Sequence, residues 1–423
     1  MDLLLYNFFL ALYQTGIRIL SIWNLKAKLW IKGRKIFPQV DYANIKHKVI
    51  WMHCASLGEF EQGRPLLEEI KIQDPACKII VTFFSSSGYE IMKSFKGADY
   101  IFYLPQDSPG NSKKFIERIN PSLVLWIKYE YWYYYLNELK TKNIPTLLIS
   151  GVFRETMPFF KWYGHLWKKM LSSFTHFFVQ TQQSKIILER LVNADKITCS
   201  GDTRFDRVIT IAEKFEHVPG IEKFCGNSPV IVAGSTWEDD EAEWTHYVKK
   251  HPEIKFIIAP HEIDKENLAF VKKQFPGAIF YSEWMLVINE KSEVRSQKTF
   301  YNCLIIDNIG MLSRLYYYAT VCFVGGGFGY NGLHNILEAA VYGKPVIFGP
   351  EFEKNFEAVE MIETDGAMSI ENAVELEKML DELVSDKFEI KRRGEAAKNY
   401  VYTHSGATKK IMDFIQKNLL LTR

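Results

Sequence analysis

Of the short signatures that announce a reaction, this 423-residue chain carries almost none. It has no Asp-x-Asp, so a metal-bridged diphosphate site is not indicated, and no His-Glu-x-x-His, Walker A or Cys-x-x-Cys run. Excess charge is also missing: a net +2 argues against a nucleic-acid binder that relies on bulk electrostatics. Cysteine is sparse. Cys54, Cys77, Cys199, Cys225, Cys303 and Cys322 are scattered and sit mostly in apolar runs, which predicts buried free thiols in a reducing compartment. No small-residue cleavage site follows the apolar N-terminus, which speaks against a removed signal peptide.

What is abundant is aromatic and apolar. Leu3 to Trp23 is mostly apolar, interrupted chiefly by Asn7, Gln14 and Arg18. Arg18, Lys26, Lys28, Lys32, Arg34 and Lys35 then bring six cations with no acidic residue between them. The uninterrupted apolar part is shorter than the ~20 residues of a spanning helix. The pattern favours an interfacial helix, with its apolar side in the acyl boundary and its cations on anionic headgroups. A true span and a core helix are the alternatives.

Beyond this segment the chain alternates strand and helix patterns twice over, which predicts an α/β fold with two doubly wound, Rossmann-like halves. The expected divisions are residues 1–35 as the membrane-associated segment, 36–212 and 228–400 as the two halves, and 401–423 as a C-terminal helix. In the first half, Val49–Cys54 reads as a strand and Ala55–Phe60 as the loop after it. The carboxyl ends of strands carry the chemistry in such sheets, which singles out Glu59. Gly58 is expected to permit a sharp turn, and the helix start to keep Glu59 ionised as a general base. Glu61 is its nearby rival. Glu130 ends a second strand, Ser122–Ile127, with a salt bridge to Lys128 or a distant Arg as its plain alternative. The aromatic cluster Tyr129–Tyr135 reads as core before it reads as a sugar platform.

In the second half, Val230–Ala233 opens a new unit with Gly234-Ser235-Thr236 as its loop, and Thr320–Pro350 reads strand, glycine-rich loop, short helix, turn, strand. A helix is expected to start near Gly332–His334. Asn335 and Glu338, three apart, then share the loop-facing side, where a carboxylate suits a ribose diol better than a phosphate. Gly327–Gly332 also matches G-x-G-x-x-G with Glu351 about twenty residues on, the pattern of an NAD-dependent oxidoreductase. Two doubly wound halves with facing loops are the architecture of a GT-B glycosyltransferase.

Taken in order, these residues resemble the 3-deoxy-D-manno-octulosonic acid (Kdo) transferases of lipopolysaccharide assembly. The resemblance rests on Trp51-x-His53-x-x-Ser56-x-Gly58-Glu59, Glu130-Tyr131-Trp132, Gly201 with Arg204-Phe205-Asp206, and Gly234-Ser235-Thr236. It continues through Asp307, Gly310 and Leu312, then Phe323–Gly326, Gly332-x-His334-Asn335-x-Leu337-Glu338-Ala339-Ala340, and Gly349-Pro350 with Asn355-Phe356. It implies an inverting transfer of Kdo from CMP-Kdo to the 6′-hydroxyl of a lipid A precursor, at the cytoplasmic face of the inner membrane and its anionic lipids. No cofactor, metal or nucleic acid is involved. Glu59 matches the general base and Glu130 a second required carboxylate. The substrate-binding set is Ser56, Gly58, Arg154, Arg204, Ser235, Thr236, His261, Ile309, Gly310, Met311, Gly326, Asn335, Glu338 and Asn355. The chain departs from the family pattern at Lys128, usually a carboxylate, at Pro260-His261, which lacks an intervening Arg, and at Met311, usually Glu. A non-catalytic lipid A-binding protein is the remaining alternative.

Overall fold

The apolar runs become strands, and those apolar on both faces become the middle of two parallel sheets, as burial on both sides requires. The structure, a computed structural model, describes residues 2–40, 47–289 and 300–421. It divides into two units, Met1–Arg207 with Ser405–Arg423, and Val208–His404.

The first unit holds strands β1 (Val49–Cys54), β2 (Lys78–Phe83), β3 (Tyr100–Tyr103), β4 (Leu123–Ile127), β5 (Thr146–Gly151), β6 (His176–Val179) and β7 (Ile197–Cys199), in the order β3-β2-β1-β4-β5-β6-β7. The second holds β8 (Val230–Thr236), β9 (Lys255–Pro260), β10 (Ile279–Phe280), β11 (Cys303–Ile305), β12 (Val321–Val324), β13 (Val346–Phe348) and β14 (Ala367–Ser369), in the order β10-β11-β9-β8-β12-β13-β14. Strand order reverses between β1 and β4 in one sheet and between β8 and β12 in the other. Ligands bind at such switch points, because the connecting helices leave to opposite faces and the strand ends between them stay open. In register, His53 pairs with Trp126, and Gly234 with Val324, so the loops that follow lie side by side.

Helix α1 (Asp2–Leu20) is followed by α2 (Leu25–Arg34). α1 is long and apolar enough to cross a membrane, yet it lies against the first unit, with Tyr6 and Leu10 in the core. The Tyr6 hydroxyl donates to buried Asp107 at 2.7 Å and accepts from Tyr133 N at 3.2 Å. Asp107 also accepts from Tyr134 N and Tyr135 N, each at 3.1 Å. Together they satisfy the free N–H groups of the helix Tyr133–Thr141, whose own N-cap residue Trp132 supplies none. Burial pushes the Asp107 carboxyl up to about 6. The opposite face of α1 is bare and apolar, with Leu4, Leu5, Phe8 and Leu12 all more than half exposed.

Arg34 does not join the other cations at the surface. It donates to Leu104 O at 2.9 Å and Phe84 O at 2.7 Å and stacks on Trp30 at 3.8 Å. Burial lowers its pKa to about 10. The guanidinium is held by carbonyls and rings rather than left to headgroups. Arg18, Lys26, Lys28, Lys32 and Lys35 remain exposed.

The chain returns to the first unit at its end. Asp206 caps the helix Ala407–Lys417 by accepting from Gly406 N and Thr408 N at 2.6 Å each, and Ile411, Met412 and Ile415 enter that unit's core. The six cysteines are free, five of them buried.

Candidate active site

Helix α3 (Leu57–Gln73) starts directly after β1, and Ser56 caps it by accepting from Glu59 N at 3.5 Å. The Glu59 carboxylate bends back to accept from Ala55 N. Burial pushes its pKa up to about 7, and the neighbouring Glu130 adds to this. The Ala55 bond, the Lys128 charge and the Ser56 bond oppose it. A helix start was expected to keep this group ionised, but burial wins. A first-turn dipole contributes about 0.3–1 kcal/mol, less than one pKa unit at about 1.4 kcal/mol. Gly58 does not make the sharp turn expected of it, since its φ is not left-handed. It is exposed, and no atom outside its neighbours lies within 4 Å of the place of a Cβ, so it keeps the space beside Glu59 open. Glu61 is tied to Arg64 at 3.3 Å and Arg207 at 3.1 Å, which removes it as a rival base.

Glu130 is held by two indoles and a histidine. Its Oε2 accepts from Trp132 Nε1 at 3.2 Å and bonds His53 Nε2 at 2.9 Å, while its carbonyl accepts from Trp126 Nε1. His53 is fully buried, and its Nδ1 meets Thr82 Oγ1 at 2.9 Å, which in turn accepts from Trp51 Nε1 at 2.9 Å. A carboxylate only accepts, so Nε2 of His53 donates to Glu130. Trp51, Thr82, His53 and Glu130 thus form one hydrogen-bonded chain. It runs across three neighbouring strands, and the fixed register of β2, β1 and β4 sets it.

Around the two carboxylates stand cations and a phenol. Lys128 has a left-handed φ of 57°, and its ammonium lies 5.5 Å from the centre of the Tyr129 ring. Such a backbone is strained for a side chain with a Cβ. Burial raises the Tyr129 hydroxyl; Arg154 opposes this, and Glu59, Asp202 and Arg204 also act on it. These groups therefore form one neighbourhood. Arg154 is exposed, and Arg204 donates to Asp202 at 2.8 Å. Asp202 is fixed by Gln62 and Gln180, at 3.2 and 2.8 Å.

In the second unit the switch point is made of backbone. Ser235 has a left-handed φ of 55°, and Gly326 one of 88°. A Cβ on Gly325 would lie 2.4 Å from Ser235 O, and one on Gly326 would lie 2.3 Å from Gly332 O. The buried Asp240 fastens this loop by accepting from Gly326 N at 2.8 Å and Trp237 N at 2.9 Å. Thr236 gives its hydroxyl to the buried Glu241 at 2.9 Å. Burial raises both carboxyls, Asp240 to about 6 and Glu241 to about 7.

Trp237, His261 and His334 stack nearly parallel, with centroids 4.6 Å apart for Trp237–His261 and 4.4 Å for His261–His334. Trp237 Nε1 donates to His334 Nε2 at 2.9 Å, so that ring is neutral. Burial, then His261, holds its pKa down at about 4. The helix expected from Gly332 begins only at Leu337 and runs four residues to Ala340. Asn335 precedes it, accepting from Leu337 N at 3.3 Å and donating to Glu338 at 3.1 Å. Asn335 and Glu338 do share a side, but four residues make a weak dipole. The G-x-G-x-x-G match also lacks the helix that a dinucleotide fingerprint opens. Its glycines serve a backbone crossing instead, since a Cβ on Gly327 would lie 2.6 Å from Gly349 N. Asn355 donates to Leu333 O at 2.9 Å. Gly310 has a φ of 95°, Ile309 is exposed, and Met311 is buried.

The 3-deoxy-D-manno-octulosonic-acid transferase (kdotransferase) family matches residues 31–207. The 3-deoxy-D-manno-octulosonic acid transferase of Aquifex aeolicus is 28% identical over 365 residues, covering 85% of this chain and 92% of that protein. Over most of its length the chain is thus similar to Kdo transferases, which are glycosyltransferases. Among solved structures, a glycosyltransferase from Rickettsia africae superposes with a TM-score of 0.58 at 18% identity, covering 88% of this chain and 99% of its own. A Listeria monocytogenes protein assigned as a UDP-N-acetylglucosamine 2-epimerase gives 0.60 at 14%, covering 88% and 97%. These share the GT-B fold of this chain.

Three features of the site escaped the sequence. Thr82 and Asp240 are polar residues 29 and 86 positions from the groups they hold. Trp237 stands before the acidic run Glu238–Glu241, which reads as a solvated helix start. Only the Trp51-x-His53 spacing on β1 gave a signal.

Proposed function

We propose that this protein is a Kdo transferase that moves Kdo, with inversion, from CMP-Kdo to the 6′-hydroxyl of a lipid A precursor. The observation that carries the reading is Glu59. It lies at the switch point of the first unit, half-buried, fastened by Ala55 N and raised to about 7, where a general base works best. Glu59 takes the proton of the acceptor hydroxyl as the oxygen bonds to the anomeric carbon of Kdo. The glycosidic bond to phosphate breaks, and CMP departs with the electron pair. Glu130, oriented by His53 and Trp132, holds the acceptor or the sugar beside that base. Arg154, Arg204 and Lys128 supply the positive charge for an acidic sugar and a phosphorylated acceptor.

The second unit holds the donor. The strained Ser235 and the Gly325–Gly326 turn let backbone approach a phosphate, and Asn335 with Glu338 accepts the ribose diol. The Trp237–His261–His334 stack offers aromatic faces where the family has an Arg. The apolar face of α1, flanked by exposed cations, rests in the cytoplasmic leaflet of the inner membrane. Mass spectrometry of products from CMP-Kdo and a tetra-acylated lipid A precursor tests the reading. A mass gain of one or more Kdo residues is expected; intact acceptor beside intact donor would contradict it.

A further inference from the structure

Helix α2 meets the edge strand β3 near its C-terminal end, and Gly33 permits it, since a Cβ there would meet the Tyr103 ring at 2.1 Å. Beside this contact runs a groove of about 680 Å³ with an apolar lining of Leu29, Ile36, Phe37, Ile101, Phe102 and Tyr103. Small-molecule sites span about 300–1,000 Å³, so the space suits a lipid-sized segment.

The rim is basic. Lys32 and Lys93 line it, and Lys114 and Arg118 stand 4.6 and 5.4 Å from the Phe37 ring centre. Glu90, the one carboxylate among the described lining residues, is offset by Lys93 at 2.7 Å. Lys32 has no carboxylate partner among the described residues. Outward, Ile36 of the lining is exposed, and Ile22, Trp23 and Leu25 are bare at the other end of α2 and in the turn before it. Inward, Tyr103 lies 5.0 Å from the Arg34 guanidinium, which lies 5.0 Å from Phe84. Phe84 packs 4.9 Å from Trp132, the donor to Glu130. Tyr103, Arg34, Phe84 and Trp132 thus lead in turn from the groove to the second carboxylate of the site.

An apolar trough with a basic rim, joined to both the exposed apolar face and the site, fits an acylated, anionic glycolipid. We propose that the groove between α2 and β3 seats one acyl chain of the phosphorylated acceptor, with Lys32 at its phosphate. This rests on the reading of the protein as a transferase to a lipid acceptor. The groove measures the acceptor's acylation, while Glu59 and Glu130 handle its sugar.

Two variants test it. Ile101→Trp fills the groove without changing charge, and Lys32→Glu reverses the rim at an exposed position that folding does not depend on. Each is assayed with CMP-Kdo and either the acylated precursor or its fully deacylated, water-soluble form. KM for the acylated acceptor is expected to rise about tenfold in both variants, with kcat and the donor KM unchanged; the deacylated acceptor keeps its phosphate, so its KM should hold in Ile101→Trp and rise in Lys32→Glu. An equal rise with the deacylated acceptor in Ile101→Trp, or no rise with the acylated acceptor, overturns the groove. Sedimentation of Ile101→Trp with phosphatidylglycerol vesicles free of acceptor should match wild type; a loss would make the groove a bilayer-lipid contact and overturn the proposal. Wild-type transfer to neither acceptor would overturn the underlying transferase reading, a failure distinct from the others.

Discussion

The switch points of the two units occupy the same place in the same kind of sheet, and they are furnished in opposite ways. Between β1 and β4 stand ionisable side chains, and buried rings and hydroxyls hold them in line: Glu59 against Ala55 N, Glu130 against His53 and Trp132. Between β8 and β12 the exposed chemistry is backbone, with a left-handed Ser235, a glycine turn pinned by Asp240, and a stack of rings in which His334 is neutral. On the proposed function, the difference teaches how one scaffold would divide a transfer reaction. Proton movement needs a side chain whose pKa burial can set, whereas nucleotide capture needs close backbone approach and fixed donors and acceptors.

The largest effect should come from the charged side. Glu59→Gln should lower kcat by about 10²–10⁴, the usual contribution of a general base, while CMP affinity stays within about twofold by calorimetry. A parallel loss of CMP binding would break the division between the units. The same variant has a signature in stability. Because burial raises the Glu59 carboxyl to about 7, its share of stability is present below about pH 4.5 and lost as pH rises through 7. Glu59→Gln should therefore melt above wild type at pH 8 and level with it at pH 4. Next in size, Gly326→Ala puts a Cβ 2.3 Å from Gly332 O on a left-handed backbone. It should weaken CMP binding about tenfold or more, and unchanged binding would remove the glycine turn from the donor site. Smallest is His53→Gln, which loosens Glu130. A stability loss of about 1–3 kcal/mol in denaturant titration is expected, with reduced kcat and an unchanged donor KM.

Much of this fold was legible because the central strands are long and apolar on both faces. Val49–Cys54, Leu123–Ile127 and Val230–Thr236 announce themselves. The strands that escaped are β3, β10 and β14, all at sheet edges, of four, two and three residues and only partly buried. An edge strand needs no continuous apolar run, so sequence has little to show for it. The site divides along the same line. Glu59 and Glu130 stand out as carboxylates after the ends of strands, and Asn335 and Glu338 as polar groups beside a glycine-rich loop. What sets their chemistry was hidden in burial and long-range pairing. The dipole argument for Glu59 gave the wrong direction because it ignored the neighbours that desolvate it. The cation run before β1 read as a single membrane flank, yet Arg34 turned inward because Trp30, Phe84 and Tyr103 form a ring box around it.

The central claim is that Glu59 is the base and that burial tunes it. The pH dependence of kcat/KM for the acylated acceptor, at saturating CMP-Kdo, tests it most directly. Activity should climb as pH rises through about 7, because the base works only when ionised. That limb should vanish in the residual activity of Glu59→Gln. A limb near the ordinary glutamate range, about 4.3, or one that persists in the variant, would contradict the account.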